Sequence, residues 1–378
     1  MIDERSYGTL DKMLHHVAFN RAFGGIGVQK HLAEIEETLM IRDTAALPAT
    51  KRPVFIAGLP RAGTTLLLNL LSRAPEFATH TYRDMPFVLA PMLWNRLSGP
   101  FRKPADERER AHGDGVAVGY DSPEAFEEIL WLAFWRDKYR DDHIELWKET
   151  DRNEAFESFF RRHIEKLVAT RTRDRRPNGA VAAPSRYLSK NNANIARLRL
   201  LPAIFPDGRV VVPIRDPDSQ SRSLLRQHLR FTKIHDEDAF ARRYMSWLGH
   251  FEFGRELRPI RFDEGSEGAA TGNPEDIDFW LSNWIAAHQE ILAAGDRVIL
   301  FDFAALCAQP RRSLEQLAES LDIEHVDTVL AGADRIKSSP GRPTPDNPHD
   351  TARYRRACEI FAAARDRCVN HPRAASRS

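Results

Sequence analysis

Val54-Phe55-Ile56-Ala57-Gly58-Leu59-Pro60-Arg61-Ala62-Gly63-Thr64-Thr65, continuing into Leu66-Leu67-Leu68-Asn69-Leu70-Leu71, is the stretch that decides the fold. A short apolar run enters a loop bounded by two glycines, and the loop opens into an apolar helical pattern. That is a strand, a phosphate-cradling loop and a helix N-terminus, in that order. Main-chain N–H groups and the positive end of the helix dipole together make an anion site. The spacing Gly58-x4-Gly63 followed by Thr64-Thr65 copies a P-loop with one change. The lysine expected just after the second glycine is Thr64, and the cation sits inside the loop as Arg61. The loop reads as a holder for a phosphate-like group, built differently from that of a nucleoside triphosphatase.

Outward from this unit, strand and helix patterns alternate. Arg186–Lys190, Arg209–Arg215 and Arg297–Phe301 read as strands. Ala193–Leu201, Ser219–Leu229, 238–254, 275–294, Pro310–Leu321 and Ala352–Cys368 read as helices. Alternation of this kind predicts an α/β fold: a central parallel sheet with helices on both faces, similar to P-loop nucleotide hydrolases. Asp121-Ser122-Pro123-Glu124 reads as a helix start, with a capping residue and proline in the first turn. The aromatic helix after it and a second over Glu154–Thr170 form a helical insertion, placed at 98–175. The expected organisation is one domain over 1–378, with an N-terminal helical arm at 1–50 and a C-terminal loop and helix at 337–378.

The chain has 378 residues, 42% hydrophobic and 29% charged, which is ordinary for a globular protein. A net charge of +1 gives no bulk field for nucleic acid, and the cluster Arg171–Arg176 reads as solvated surface. Three cysteines without zinc spacing argue against a disulfide framework or a structural metal. The start MIDERSYG lacks the pattern of a signal peptide, and no apolar run reaches the length of a membrane span. A cytoplasmic protein is expected.

A second motif is Arg215, at the end of a buried strand, with Ser223 eight residues later inside the following helix. A strand-end arginine and a helix-borne hydroxyl can converge on one dianion, the arginine supplying a planar fork of donors. With the loop, this pair resembles the sulfotransferase family that uses 3′-phosphoadenosine-5′-phosphosulfate, in its bacterial branch. Phe205-Pro206-Asp207-Gly208-Arg209 and the unit Val298–Leu321 are similar to that branch too, and the likeness spans about residues 50–325. The resemblance implies that Leu59, Pro60, Arg61, Ala62, Gly63, Thr64 and Thr65 hold the 5′-phosphosulfate and that Arg215 and Ser223 hold the 3′-phosphate, with no metal. The family's usual loop lysine is here Arg61. The family also has a strand ending in a lysine-containing turn, which matches Ser189-Lys190-Asn191-Asn192 and puts Lys190 beside the transferred group. Cytosolic members carry a base histidine two residues after that lysine; here the position is Asn192. Carbohydrate- and protein-directed relatives place a base carboxylate after the first helix, which implies Asp84, with His80 as its competitor.

The implied activity is sulfuryl transfer by in-line displacement to a hydroxyl or amine acceptor: a sugar, a lipid or a small molecule. Neither nucleic acid nor stable membrane insertion is expected. Trp131, Trp135, Trp247 and Trp280 are either core or the lining of an acceptor cleft, and Lys337–Arg342 is a candidate cover for the 3′-phosphate. Two other readings stay open. A P-loop kinase or nucleotide hydrolase would use Thr64 or Thr65 on Mg²⁺, with Asp302 as the acid after the strand. A non-catalytic interaction protein would keep nucleotide binding without turnover.

Overall fold

The structure, a computed structural model, describes residues 25–40, 49–98, 122–175, 183–262, 272–336 and 352–371, together with isolated positions between 15 and 47 and two paired short strands, Arg108–Glu109 and Ala117–Val118. Most of 1–24, most of 98–121 and the segment 337–351, including Lys337–Arg342, lie outside the described residues.

Five parallel strands form the central sheet: β1 (Val54–Ile56), β2 (Phe77–Ala78), β3 (Arg186–Lys190), β4 (Arg209–Ile214) and β5 (Val298–Asp302), in the order β2-β3-β1-β4-β5. The helices that matter here are α1 (Ile26–Leu39), α2 (Thr64–Leu71), α3 (Glu128–Phe134), α4 (Glu154–Arg175), α5 (Pro217–Glu237), α6 (Ile277–Ala293) and α7 (Ala352–Asp366). β1 lies at the centre, with Ile56 opposite both Lys190 of β3 and Val211 of β4. The carboxyl ends of β1 and β3 therefore lie side by side, and β4 runs three residues further to Ile214.

The strands read as continuous apolar runs because both faces are covered. Successive side chains point to opposite faces. Phe55, Val210, Val212 and Ile214 join one core with residues of α3, α4, α6 and α7. Val54, Ile56, Leu188 and Val211 join another with α2 and the helix Pro310–Ser320. Pro213 lacks an N–H, but β1 leaves the sheet after the bond from Ala57 N to Val211 O, so no ladder bond is lost there.

The structure differs from the sequence expectation in four local respects. The helix expected over Ala193–Leu201 is a 3-10 helix at Asn192–Arg197 followed by a short α-helix at Leu200–Ile204. β2 is a two-residue strand, too short for a hydrophobic pattern to mark. The helix expected from Pro123 begins only at Glu128, because Pro123 is drawn into an antiparallel bridge with Thr81. The expected helix 238–254 stops at Leu248, where Gly249 takes a left-handed conformation (φ 76°) and turns the chain back.

Candidate functional site

The loop after β1 is held in an unusual backbone path. Gly58 (φ 133°), Arg61 (φ 69°) and Gly63 (φ 97°) all have positive φ. Gly63 caps α2 in a left-handed conformation, and no side chain takes the first-turn N–H groups. Those donors are thus available to an anion at the helix mouth. The site also demands glycine: a Cβ on Gly63 would lie 2.4 Å from Cδ2 of Phe303.

The second motif closes on the first. Arg215 Nη1 donates to the Arg61 carbonyl at 2.9 Å, and Arg61 Nε donates to Ser223 Oγ at 3.1 Å. Residues 154 positions apart in the chain are thereby one side chain apart in space. The Arg215 guanidinium also lies 5.5 Å from the Phe303 ring centroid. Burial lowers the Arg215 pKa and Asp216 beside it opposes this, so the group remains a cation at neutral pH.

Gln220, fully buried on α5, was not singled out by the sequence. Its Nε2 donates to the Pro60 carbonyl at 3.0 Å, and its Oε1 accepts from Trp284 Nε1 at 3.0 Å. It precedes Ser223 by three residues and shares its helix face, so one face of α5 grips the loop twice. That spacing was the legible signal.

Lys190 ends β3 beside the start of the loop and is buried. A network beneath it fixes the turn that follows. Glu127 accepts from Ser189 Oγ, Asn194 Nδ2 and Trp131 Nε1. Glu128 is paired in bidentate fashion with Arg197, at 2.7 and 2.8 Å, and accepts from Asn191 Nδ2. Burial pushes the Glu128 pKa up, but Arg197 and the hydrogen bonds outweigh it and hold the carboxyl below its usual range. On the surface of this network, Asn192 bridges the loop to the opposite wall. Its Oδ1 accepts from Thr64 Oγ1 at 3.3 Å, and its Nδ2 donates to Glu252 Oε1 at 3.0 Å.

A polar cavity of about 520 Å³, including its open side, lies over the loop. Arg61, Thr64, Thr65, Lys190, Glu124, His250 and Glu252 border it. Both Glu124 oxygens are engaged, Oε2 by Tyr82 Oη at 2.6 Å and Oε1 by the Ala125 N–H at 2.8 Å. A second, apolar cavity of about 560 Å³ adjoins it, and Pro60, Asn192 and Glu252 line both. His250 and Glu252 fall in the irregular stretch after Gly249, which the longer expected helix concealed.

Asp84 and His80 lie elsewhere. Asp84 is buried; its carboxylate is paired with Arg171 and accepts from the Thr81 N–H, closing a capping box on a short 3-10 turn. His80 is buried against His163, Nε2 to Nε2 at 2.9 Å. Burial pulls its pKa down to about 4, with Asp84 opposing and Arg171 adding to the fall. Neither residue lines the polar cavity. Arg171, read as solvated surface, is buried in this same cluster. Of the four tryptophans, Trp131 and Trp135 are core, Trp247 stacks on Phe19, and Trp280 lines the apolar cavity. Asp302 is fully buried, caps the helix Phe303–Ala308 and accepts from Arg365. The acid needed by a nucleotide hydrolase is therefore already committed within the fold.

A family model described as Sulfotransferase family matches residues 53–264, more than half of the chain. No curated protein matches significantly. Among solved structures, the chain is similar to the sulfotransferase STF9 from Mycobacterium avium, at 16% identity over 88% of this chain and 80% of that one, with a TM-score of 0.45. It is similar to the sulfotransferase STF1 from Mycobacterium tuberculosis H37Rv, at 15% identity over 89% and 83%, with a TM-score of 0.44. A third likeness is to the sulfotransferase domain of the Synechococcus PCC 7002 olefin synthase, at 14% identity over 84% and 97%, with a TM-score of 0.32.

Proposed function

The chain belongs to the sulfotransferase family, and from that premise we propose that it uses 3′-phosphoadenosine-5′-phosphosulfate as donor and sulfates a hydroxyl or amine acceptor in the cavity over the loop. The observation that carries this reading is the closure of Arg215 and Ser223 onto Arg61. A nucleotide with phosphates at both its 5′ and 3′ positions needs two anion sites on one mouth, and a triphosphate does not.

In this reading the N–H groups at the start of α2, with Thr64 and Thr65, hold the 5′-phosphosulfate. Arg215 and Ser223 hold the 3′-phosphate, with Gln220 keeping the loop in register. Transfer forms a bond from the acceptor oxygen to sulfur and breaks the sulfur–oxygen bond to the 5′-phosphate, releasing adenosine 3′,5′-bisphosphate. Arg61 and Lys190 neutralise the charge that develops on the bridging oxygen, a role in which losing one donor typically costs about 100- to 1,000-fold in turnover.

The acceptor proton passes to a carboxylate in the cavity. Asp84 is tied up by Arg171, and Glu124 accepts on both oxygens. Glu252 accepts from Asn192 on one oxygen and stands where the two cavities meet. It is the base in this proposal, with Asn192 as its positioning residue.

Thermal shift and titration test the donor. Adenosine 3′,5′-bisphosphate without Mg²⁺ is expected to stabilise the protein more than ATP with Mg²⁺. Arg215→Ala is expected to weaken bisphosphate binding by about 100-fold, two charge-assisted contacts being lost. Unchanged affinity in that variant refutes the assignment.

A further inference from the structure

The apolar cavity beside the loop has a chemistry of its own. Leu224, Phe251, Phe279 and Trp280 are among the apolar residues of its wall. Two opposite charges border it. Glu252 stands at the seam with the polar cavity, and Arg258 stacks over the Phe251 ring at 4.5 Å. Asn283, on α6, also lines it. That side chain belongs to a residue only 8% exposed, and it has no hydrogen-bond partner among the described residues. Its amide atoms reach the solvent of the cavity, so a ligand there can take the hydrogen bonds that water would otherwise make.

We infer that this cavity receives the acceptor, and that the acceptor is a compact, largely apolar alcohol or phenol whose reacting hydroxyl lies at the seam formed by Pro60, Asn192 and Glu252 while a second polar group bonds Asn283. The inference rests on the sulfuryl-transfer reading above and narrows it. A sugar carries a polar group on nearly every carbon. Carbon walls would strip water from those groups without replacing their hydrogen bonds. A ring of apolar surface gains from the same walls. The two bordering charges are opposite in sign, which suits a neutral occupant.

The test uses the full chain saturated with adenosine 3′,5′-bisphosphate, titrated by calorimetry with 2-naphthol, 2,6-dihydroxynaphthalene and glucose. Both naphthalenes are expected to bind, the diol about tenfold more tightly, and glucose not at all. Asn283→Leu is expected to erase the advantage of the diol and keep bisphosphate affinity. Leu257→Trp, which fills the cavity, is expected to abolish naphthalene binding with bisphosphate affinity intact. Absence of naphthalene binding, indifference of that binding to both variants, or loss of bisphosphate affinity on filling the cavity overturns the inference; the last would mean that the adenine occupies it. Labelled donor separates the two levels. Sulfated glucose without naphthalene binding refutes the acceptor class and keeps the transferase. Naphthalene binding that obeys Asn283, with no sulfate transferred to any acceptor, refutes the transferase reading and keeps the ligand class of the cavity.

Discussion

Replacing Gly63 by alanine adds one methyl group at the most crowded point of the anion loop. Two penalties follow from the geometry. The backbone there has φ 97° and ψ 11°, outside the small left-handed region that L-residues tolerate, which costs on the order of 1–2 kcal/mol. The new Cβ also meets Cδ2 and Cε2 of Phe303 at 2.4 and 2.6 Å, closer than carbon atoms approach. Either the ring or the loop must move, an overpacking penalty of about 1–3 kcal/mol. The expected loss is therefore about 2–5 kcal/mol. With an unfolding entropy of about 2.1 cal/mol/K per residue, a chain of 378 residues loses roughly 3–6 °C in melting temperature. The functional loss should exceed the stability loss. Phe303 backs the Arg215 guanidinium, so one displaced ring disturbs both phosphate sites, and bisphosphate affinity should fall more than about tenfold. Calorimetric melts and bisphosphate titrations of Gly63→Ala, Phe303→Leu and the double variant separate the terms. The double variant should recover the packing part and keep the backbone part. A Gly63→Ala protein that melts and binds like the parent refutes the account of the loop.

Other expectations follow from single side chains. Gln220→Leu removes the clamp on the Pro60 carbonyl and leaves Trp284 Nε1 without its acceptor; a several-degree drop in melting temperature with roughly tenfold weaker bisphosphate binding should be seen by calorimetry. Glu252→Gln should lower kcat by about 100- to 10,000-fold with bisphosphate affinity unchanged, measured with labelled donor. Asp84→Asn should act instead through stability, since it breaks a buried pair with Arg171, at a cost of about 3–5 kcal/mol read from denaturant melts. Acid should destabilise the fold through His288, which burial pulls from 6.5 down to about 4 against the opposing bond to the Trp284 carbonyl. The native side chain stays neutral while the unfolded one takes a proton, so its contribution is complete above about pH 6.5 and is lost as pH falls towards 4, on the order of 3 kcal/mol. His288→Asn should flatten the fall in melting temperature between pH 6.5 and 4.5.

The sequence alone determined the strand-loop-helix unit and the alternation that makes a parallel sheet, and the family resemblance carried by Arg215 and Ser223 pointed to the place where both meet Arg61. Each of these is a local pattern: apolar runs, glycines where φ must be positive, and a strand end followed at fixed spacing by a helix hydroxyl. The base proposed here, Glu252, was beyond its reach. Asp84 and His80 had the right residue types in a loop of the right place, but burial beside Arg171 and His163 is a fact about packing between β2 and α4, which no local pattern encodes. Glu252 could not be found in that way either. Gly249 ends a helix that the apolar periodicity continues, and only the folded chain carries the residues after it to Asn192 and the loop. The same holds for the unpartnered amide of Asn283 and the apolar wall around it. Strand, loop and helix are specified by neighbours in sequence. The shape and polarity of the space over the loop are specified by elements that meet only when the sheet has formed, and tertiary packing alone decides them.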